Sequence, residues 1–191
     1  KNRPMDNPLI CHISSLEMLK QLVDPKWEMP DQMKQVIEAF WPGPLTLLLP
    51  AHPDLPQCVT AGLKTVGVRF PSHPIALELI SRAGFPLAAP SANLSGRPSP
   101  TSAAHVYADL HDRINWIVDG GSCGVGLEST VLDLITSTST PLILRPGGIT
   151  CSMLRRVIPE VQVYKQKKLR SEASDSIESA PEIDESRPST P

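Results

Sequence analysis

Long apolar runs, closely spaced cysteines and aromatic residues are all scarce in this 191-residue sequence. No stretch approaches the ~20 apolar residues that a membrane-spanning helix needs, so we expect a soluble protein without a membrane span. The four cysteines stand far apart, whereas structural zinc needs close ligand pairs and disulfide scaffolds need a higher cysteine density. This usage predicts a reducing compartment, which we take to be the cytoplasm, with the mitochondrion as the alternative.

Several signatures of catalysis and cofactor binding are also missing. There is no lysine-bearing P-loop, and the glycine-rich stretch 120–126 leads into a predicted strand, whereas a dinucleotide-binding fingerprint leads into a helix. Ser129 lacks the nucleophile-elbow context of a serine hydrolase. The five histidines show no metal-ligand spacing. These absences argue against Walker-type, dinucleotide-binding, serine-hydrolase and protein-held metal sites.

Proline, in contrast, is abundant: 21 of the 191 residues are proline, against a usual ~5%. This content excludes a long-helix bundle or coiled coil, because proline breaks helix interiors. Apolar runs bounded by Pro or Gly alternate with amphipathic segments, which predicts an α/β domain with a mixed parallel and antiparallel sheet. The predicted strands are Leu9–Ile13, Leu45–Leu49, Thr65–Phe70, Leu87–Ala89, Trp116–Val118, Thr130–Leu134 and Leu142–Leu144. The predicted helices are Ser15–Val23, Asp31–Phe40, Pro74–Ala83, one capped by Thr101 that runs to Leu110, and one capped by Thr150 that runs to Val157.

The composition changes near residue 171. Residues 171–191 hold six acidic residues and one arginine, and they are rich in Ser and Pro. Such a segment buries too little apolar surface to offset its chain entropy, so we expect it to be disordered. The basic stretch 165–170 before it is also expected to leave the core. We therefore predict one domain over residues 1–164 and a tail over 165–191 that is first basic and then acidic.

Two basic features suit an anionic ligand. Lys1 and Arg3 lie in a loop with two prolines, and an Arg beside a Lys suits a polyphosphate; the alternative is an exposed basic turn. Nothing precedes this loop, which suggests a fragment whose upstream part is absent. On the strand 65–70, alternation places Arg69 with Thr65 on one face, where Arg69 could hold a carboxylate or phosphate. The alternative is a strand whose polar face meets water.

Two further loops combine small residues with hydroxyl groups. The segment 88–100 has three serines, one asparagine and one glycine, and such groups can cradle phosphate oxygens. The segment 119–130 has four glycines and ends in Ser129 and Thr130, and Arg145 follows at the end of another predicted strand. Surface turns are the alternative for both segments.

Taken together, these segments resemble the YrdC/Sua5 family of threonylcarbamoyl-AMP synthases. The motifs that carry the resemblance are KNRPMDNPLICHI (1–13), WPGPLTLLLP (41–50), TVGVRFPSHP (65–74), PLAAPSANLSGRPSPT (86–101), GLESTVLDL (126–134) and ILRPGGIT (143–150). Two departures stand out: the family's upstream PTETVYGL-type loop is missing, and the second domain of longer Sua5 members is replaced by the acidic tail, as in the short YrdC form. Because the upstream loop forms a wall of the threonine site, we expect this chain alone to bind ATP weakly and to make little product.

The resemblance implies a YrdC-like fold, a twisted α/β sheet with flanking helices and a positively charged groove. It also implies that L-threonine, bicarbonate and ATP react to threonylcarbamoyl-AMP and pyrophosphate. A partner transferase would then use this product to modify tRNA. Mg²⁺ is expected with ATP, and no covalent nucleophile is expected. The implied ATP-binding residues are Arg3, Asn7, Thr65, Ser91, Ser99 and Arg145, with Lys1 and Arg3 positioning the phosphates. The implied threonine-binding residues are His12, Arg69, Ala89 through its backbone, and Ser129.

Two other functions stay open at this point. The first is a binding module in which the basic groove holds double-stranded RNA or tRNA without catalysis; such binding should weaken steeply with salt. The second is a carbamoyl-transfer domain like that of hydrogenase maturation proteins. Those proteins contain zinc-finger and acylphosphatase modules, and nothing of that kind is visible in this sequence.

Overall fold

A computed structural model describes residues 1–124, 126–136 and 140–164 of the chain. The predicted tail over residues 165–191 therefore lies outside the described residues. Within the described ranges, no helix has the length and apolar character needed to cross a membrane.

One seven-stranded sheet organises the fold, in the order β4-β1-β3-β2-β5-β6-β7. The pairs β1/β3, β2/β5 and β6/β7 are parallel, and the other three neighbouring pairs are antiparallel. This confirms the predicted mixed sheet. The strands are β1 (Ile10–His12), β2 (Leu45–Pro50), β3 (Thr65–Arg69), β4 (Leu87–Ala89), β5 (Thr130–Asp133), β6 (Leu142–Arg145) and β7 (Gln162–Val163).

Within the described ranges, five α-helices and one 3-10 helix flank the sheet. They are the 3-10 helix Leu16–Gln21, α1 (Asp31–Phe40), α2 (Gln57–Thr60), α3 (Pro74–Ala83), α4 (Ala103–Leu110) and α5 (Cys151–Leu154). The bounds of α1 and α3 match the sequence prediction. In α3, Pro74 stands at the first helical position, where a missing N–H costs nothing, and Gly84 ends the helix in the left-handed conformation.

The hydrophobic core lies between the sheet and α1. Met33 and Val36 of α1 are completely buried, as are Leu45, Leu47 and Leu49 of β2. β2 is the central strand, with β3 paired along one edge and β5 along the other, and four of its six residues are buried. Truncating such a buried leucine to alanine typically costs about 2–5 kcal/mol of stability. The core therefore fixes β2 and, through β2, the strands on either side.

The predicted strand Trp116–Val118 is wrong. The segment pairs with no strand of the described sheet, and the side chains of Trp116 and Val118 are 88% and 67% exposed. A short apolar run predicts burial, but only a neighbouring strand with free backbone groups makes it a strand. The sequence analysis also missed the two short elements α2 and β7.

Two predicted helix caps had different outcomes. The Thr150 side chain accepts a hydrogen bond from the backbone N–H of Met153 at 3.2 Å, as predicted, although α5 ends at Leu154 and not at Val157. Thr101 does not cap α4, which begins after Ser102. The predicted helix Ser15–Val23 is instead the shorter 3-10 helix.

Candidate active site

A row of paired residues crosses the sheet and carries several of the predicted site residues. His12 on β1 pairs with Arg69 on β3, and Arg69 pairs with Thr46 on β2. The row continues through Val131 on β5 to Arg145 on β6. Residues paired across neighbouring strands project from the same face of a sheet. His12 and both arginines are therefore brought to one face, although the sequence separates His12 from Arg145 by most of the domain.

An open cavity of about 690 Å³ lies over this face. Among the described residues, its lining contains five cationic side chains and a single carboxylate, that of Glu128. The cationic residues are Lys1, Arg3, Arg69, Arg97 and Arg145. Clefts lined by one sign of charge concentrate ligands of the opposite sign. The cavity is therefore suited to a polyanion.

Ten of the eleven residues assigned from the family resemblance line this cavity. They are Lys1, Arg3, Asn7, His12, Arg69, Ala89, Ser91, Ser99, Ser129 and Arg145. Thr65 is the exception. It shares a face of β3 with Arg69 but lies at the other end of the strand, roughly 13 Å away at about 3.3 Å per residue. The structure does not bring Thr65 into the cavity, because alternation fixes the face of a residue and not its position along the strand.

Arg69 is held in place by one backbone carbonyl. Its Nε donates a hydrogen bond to the carbonyl oxygen of Gly43 at 3.2 Å. Burial and the nearby charge of Arg145 lower the pKa of Arg69, but a guanidinium stays charged at neutral pH. In the described part of the chain, Arg69 makes no ion pair with a carboxylate. Its terminal nitrogens are therefore available to an anionic ligand.

The segment 41–45 explains how the Gly43 carbonyl reaches Arg69. Trp41 is buried, and its Nε1 donates a hydrogen bond to the carbonyl oxygen of Leu45 at 2.8 Å. A side-chain carbon on Gly43 would lie 2.4 Å from the carbonyl oxygen of Phe40, so only glycine fits there. The sequence analysis used this motif for the family resemblance but did not assign Gly43 to the site.

Ser129 is locked into the sheet on the cavity face. Its hydroxyl lies 2.8 Å from the hydroxyl of Thr46, and both residues are buried. Arg145 donates from Nη2 to the carbonyl oxygen of Ser129 at 2.8 Å and to its hydroxyl at 3.0 Å. A side-chain carbon on Gly147 would lie 2.6 Å from the Ser129 carbonyl carbon. Gly147 therefore lets the two segments approach, which positions Ser129 beside Arg145.

Glu128 connects two of the predicted ATP-binding residues. Its Oε2 accepts a charged hydrogen bond from Arg145 Nη1 at 2.9 Å, and its Oε1 accepts a hydrogen bond from the Ser99 hydroxyl at 3.0 Å. The sequence analysis did not assign Glu128 a role. The signal that could have found it is a carboxylate directly before Ser129 in the motif GLESTVLDL, which the resemblance already used.

Lys1 joins the opening loop to the serine-rich loop. Its Nζ donates to the carbonyl oxygens of Ser91 at 2.7 Å and Asn93 at 2.6 Å. Burial, followed by the nearby charge of Arg3, lowers the pKa of Lys1. Asn93 is only 5% exposed, and its amide nitrogen donates to the carbonyl oxygen of Arg97 at 2.6 Å. Lys1 and Asn93 thus hold this loop against the cavity.

Asp109 on α4 supports the same loop from outside the cavity. Its Oδ2 accepts a hydrogen bond from the backbone N–H of Leu94 at 3.0 Å, and its Oδ1 pairs with Arg97 Nη1 at 2.5 Å. The backbone hydrogen bond from Leu94 is the main cause of the lowered pKa of Asp109, and the Arg97 charge adds to it. Because Asp109 pairs with Arg97 and Glu128 pairs with Arg145, the positive character of the cavity comes mainly from Lys1, Arg3 and Arg69.

Arg3 and Asn7 form a closed arrangement within the opening loop. Arg3 donates from Nη2 to the Asn7 side-chain oxygen at 2.7 Å and to the carbonyl oxygen of Pro8 at 2.7 Å. This leaves the side-chain amide nitrogen of Asn7 and the other terminal nitrogen of Arg3 for a ligand.

His12 is held next to Arg69 in a neutral state. Its Nδ1 lies 3.4 Å from the carbonyl oxygen of Leu87. Burial lowers the pKa of His12, and the charge of Arg69 lowers it further. A neutral imidazole that donates from Nδ1 presents Nε2 as a hydrogen-bond acceptor. His12 can therefore accept a hydrogen bond from a ligand that Arg69 holds.

The cavity lining fits a metal ion that arrives with its ligand. The described residues contain no group of three or more His, Cys, Asp or Glu side chains that could hold a metal. Mg²⁺ bound with a nucleotide needs only one or two carboxylates, since phosphates and water supply its other ligands. Glu128, with the hydroxyl of Ser99 beside it, meets that requirement.

Comparisons with known proteins identify the family of this chain. A model of the family Sua5_yciO_yrdC, described as "Telomere recombination", matches residues 1–147. The threonylcarbamoyl-AMP synthase of Bacillus subtilis (strain 168) is 53% identical over 166 residues, covering 86% of this chain and 46% of that protein. The chain thus spans about half the length of such curated relatives.

Solved structures show the same fold. The crystal structure of Pyrococcus abyssi Sua5 complexed with L-threonine superimposes with a TM-score of 0.80 and 49% identity, covering 86% of this chain and 47% of that one. Escherichia coli YciO superimposes with a TM-score of 0.64 at 24% identity, covering 76% of this chain and 68% of that one, which supports the fold alone. These matches confirm the predicted mixed α/β fold.

Proposed function

Because this chain belongs to the Sua5/YciO/YrdC family, we propose that it acts as an L-threonylcarbamoyladenylate synthase. In this reaction the amine of L-threonine takes up the carbon of bicarbonate to give a carbamate, with loss of water. A carbamate oxygen then forms a bond to the α-phosphorus of ATP, the bond from that phosphorus to the bridging oxygen breaks, and pyrophosphate leaves. The support is the family membership together with relatives named threonylcarbamoyl-AMP synthase.

The observation that carries the proposal is the placement of Arg69 between two kinds of group. On one side, the register pairs Arg69 with neutral His12, and on the other side lies Arg145 with the hydroxyl groups of Ser129 and Ser99. An amino acid carboxylate held by Arg69 would therefore lie next to a phosphate held by Arg145. The two substrates must lie side by side in this way if a carbamate on the threonine nitrogen is to reach the α-phosphorus of ATP.

The residues act by positioning and by neutralising charge. Phosphoryl and nucleotidyl transfer needs alignment and stabilisation of developing charge more than a covalent nucleophile. Arg69 binds the threonine carboxylate through its terminal nitrogens, and His12 accepts a hydrogen bond from threonine. Lys1, Arg3 and Arg145 stabilise the phosphates and the departing pyrophosphate. Mg²⁺, when bound with ATP, supplies further neutralisation of the phosphate charge.

The product implies a partner. Threonylcarbamoyl-AMP is a reactive mixed anhydride, so a transferase must consume it, and we propose that this transferase modifies tRNA. We place the activity in the cytoplasm. The alternative function, an RNA-binding module without catalysis, rests only on the positive charge of the cavity.

The test is direct. Calorimetry measures the binding of L-threonine and of ATP with Mg²⁺ to the 191-residue chain, and a coupled assay measures pyrophosphate release. We expect both ligands to bind, and any pyrophosphate release to require both L-threonine and bicarbonate. A chain that binds double-stranded RNA in a steeply salt-dependent manner but binds neither ligand would overturn the proposal in favour of the RNA-binding alternative.

A further inference from the structure

Of the residues that the structure describes, Glu128 is the one with a negatively charged side chain in the lining of a cavity that otherwise attracts anions. Both of its carboxylate oxygens are engaged: one with Arg145 at 2.9 Å and the other with Ser99 at 3.0 Å. These are the groups that the proposed function assigns to the phosphates. The Glu128 carboxylate therefore occupies a position that a phosphate oxygen would take.

Glu128 cannot withdraw with its backbone. Its carbonyl oxygen accepts a hydrogen bond from the backbone N–H of Gly148 at 3.0 Å, and a side-chain carbon on Gly147 would lie only 2.3 Å from the same oxygen. Only the side chain, which is 46% exposed, is free to turn. In the arrangement that the structure shows, a phosphate that reaches Arg145 and Ser99 therefore meets the Glu128 carboxylate.

Two negative groups at one site repel each other, and a divalent cation between them removes that repulsion. Phosphate oxygens and a single carboxylate are a common ligand set for Mg²⁺. We propose that Glu128 makes nucleotide binding at this site dependent on Mg²⁺: its carboxylate disfavours a metal-free polyphosphate and contributes an oxygen ligand when the nucleotide carries the metal. This inference rests on the proposed function, because it assumes that ATP binds at Arg145 and Ser99.

The test compares ATP affinity with and without the metal. Calorimetry on the 191-residue chain measures Kd for ATP in excess Mg²⁺ and in excess EDTA, for the native chain and for Glu128→Gln. Glutamine keeps the size of the side chain and removes its charge. We expect the Kd in EDTA divided by the Kd in Mg²⁺ to be about tenfold smaller in Glu128→Gln than in the native chain. The main cause should be a tighter binding of ATP in EDTA, because the repulsion by the carboxylate is lost.

Glu78→Gln is the matched control. Glu78 is an exposed carboxylate paired with Arg82 at 2.6 Å on α3, so this variant also removes one carboxylate from an arginine pair, but outside the cavity lining. Its Kd ratio should equal that of the native chain. Thermal unfolding of both variants checks that they are folded.

A second measurement needs no variant. With Mn²⁺ in place of Mg²⁺, the paramagnetic ion bound with ATP should broaden the NMR signals of the Glu128 and Ser129 amides before those of Glu78 and its neighbours. Broadening that does not favour Glu128 would overturn the inference. An unchanged Kd ratio in Glu128→Gln would also overturn it while leaving the proposed function intact. If ATP does not bind the native chain at all, the proposed nucleotide site fails and this inference fails with it.

Discussion

The guanidinium of Arg69 is held at its Nε by the carbonyl oxygen of Gly43, 3.2 Å away. This bond does not use the two terminal nitrogens of Arg69. Their spacing matches that of the two oxygens of a carboxylate, so both are available to a ligand. One edge of the guanidinium therefore contacts the protein and fixes the side chain, while another edge is available to bind the ligand.

Replacing Arg69 by lysine is expected to weaken threonine binding far more than ATP binding. Lysine keeps the charge but cannot form both the bond to Gly43 and a two-point contact with a carboxylate. Loss of one charge-assisted contact costs on the order of 1.5–3 kcal/mol, roughly 10- to 100-fold in affinity. Calorimetry with each ligand separately measures this. Arg82→Lys, on the surface of α3, is the control, and an unchanged threonine affinity in Arg69→Lys would show that Arg69 does not hold the carboxylate.

Gly147→Ala is expected to destabilise the fold and to disturb the site. The added carbon would lie 2.3–2.6 Å from backbone atoms of residues 128–130, and backbone cannot yield by a simple rotation. Overpacking of this kind typically costs about 1–3 kcal/mol. Thermal unfolding measures the loss, and Gly124→Ala is the control, because a side-chain carbon at Gly124 would meet nothing within 4 Å. Equal midpoints for the two variants would contradict the close approach of these segments.

The cysteines are expected to react selectively with iodoacetamide. Cys11 on β1 is 2% exposed, and burial raises the pKa of its thiol to about 11. Cys58 and Cys123 are exposed. Because the thiolate is the reactive form, mass spectrometry of the native chain after brief alkylation near pH 8 should find Cys58 and Cys123 modified and Cys11 unmodified. Denaturant should make all the cysteines reactive. Rapid modification of native Cys11 would show that β1 is not buried as described.

Stability is expected to fall in mild acid because of His12. Burial and the Arg69 charge lower the pKa of His12 in the fold, while an unfolded histidine titrates near 6.5. Below that pH the unfolded chain binds more protons than the folded one, so the free energy of unfolding decreases as pH falls. One such group contributes up to about 1.4 kcal/mol per pH unit.

His12→Gln isolates this contribution, because glutamine removes the titration and leaves the other histidines unchanged. Chemical denaturation of both proteins at pH 7.5 and at pH 5.5 compares the slopes. The native chain should lose more stability than the variant on going to the lower pH. If both lose the same amount, His12 is not the buried group that responds to acid.

Patterns within short stretches of the sequence were sufficient to predict many of the helices and strands. The strand β3 was predicted with its faces correctly assigned, because the alternation of Val66 and Val68 with polar positions is visible in five consecutive residues. Helices α1 and α3 were predicted with their exact limits, since apolar spacing and a proline or glycine mark both ends. The prediction of a strand at Trp116–Val118 was wrong because a strand there needs a neighbouring strand to pair with, and the described sheet does not supply one.

The cavity depends on how distant segments meet. Family resemblance identified Arg145, Ser99 and Ser129, but it did not indicate that Glu128 joins Ser99 to Arg145 or that Gly43 holds Arg69. Nor did it show that Thr65 stays outside the cavity.

The sequence by itself determined most of the longer helices and strands, the buried face of β3 and the membership of the family, because these follow from local periodicity and from motifs in a fixed order. Only the tertiary structure decided which side chains share a site. The strand order β1-β3-β2-β5-β6 and its register bring His12, Arg69 and Arg145 into one row. Pairing between strands depends on the packing of the whole sheet, and no short stretch of sequence contains that information.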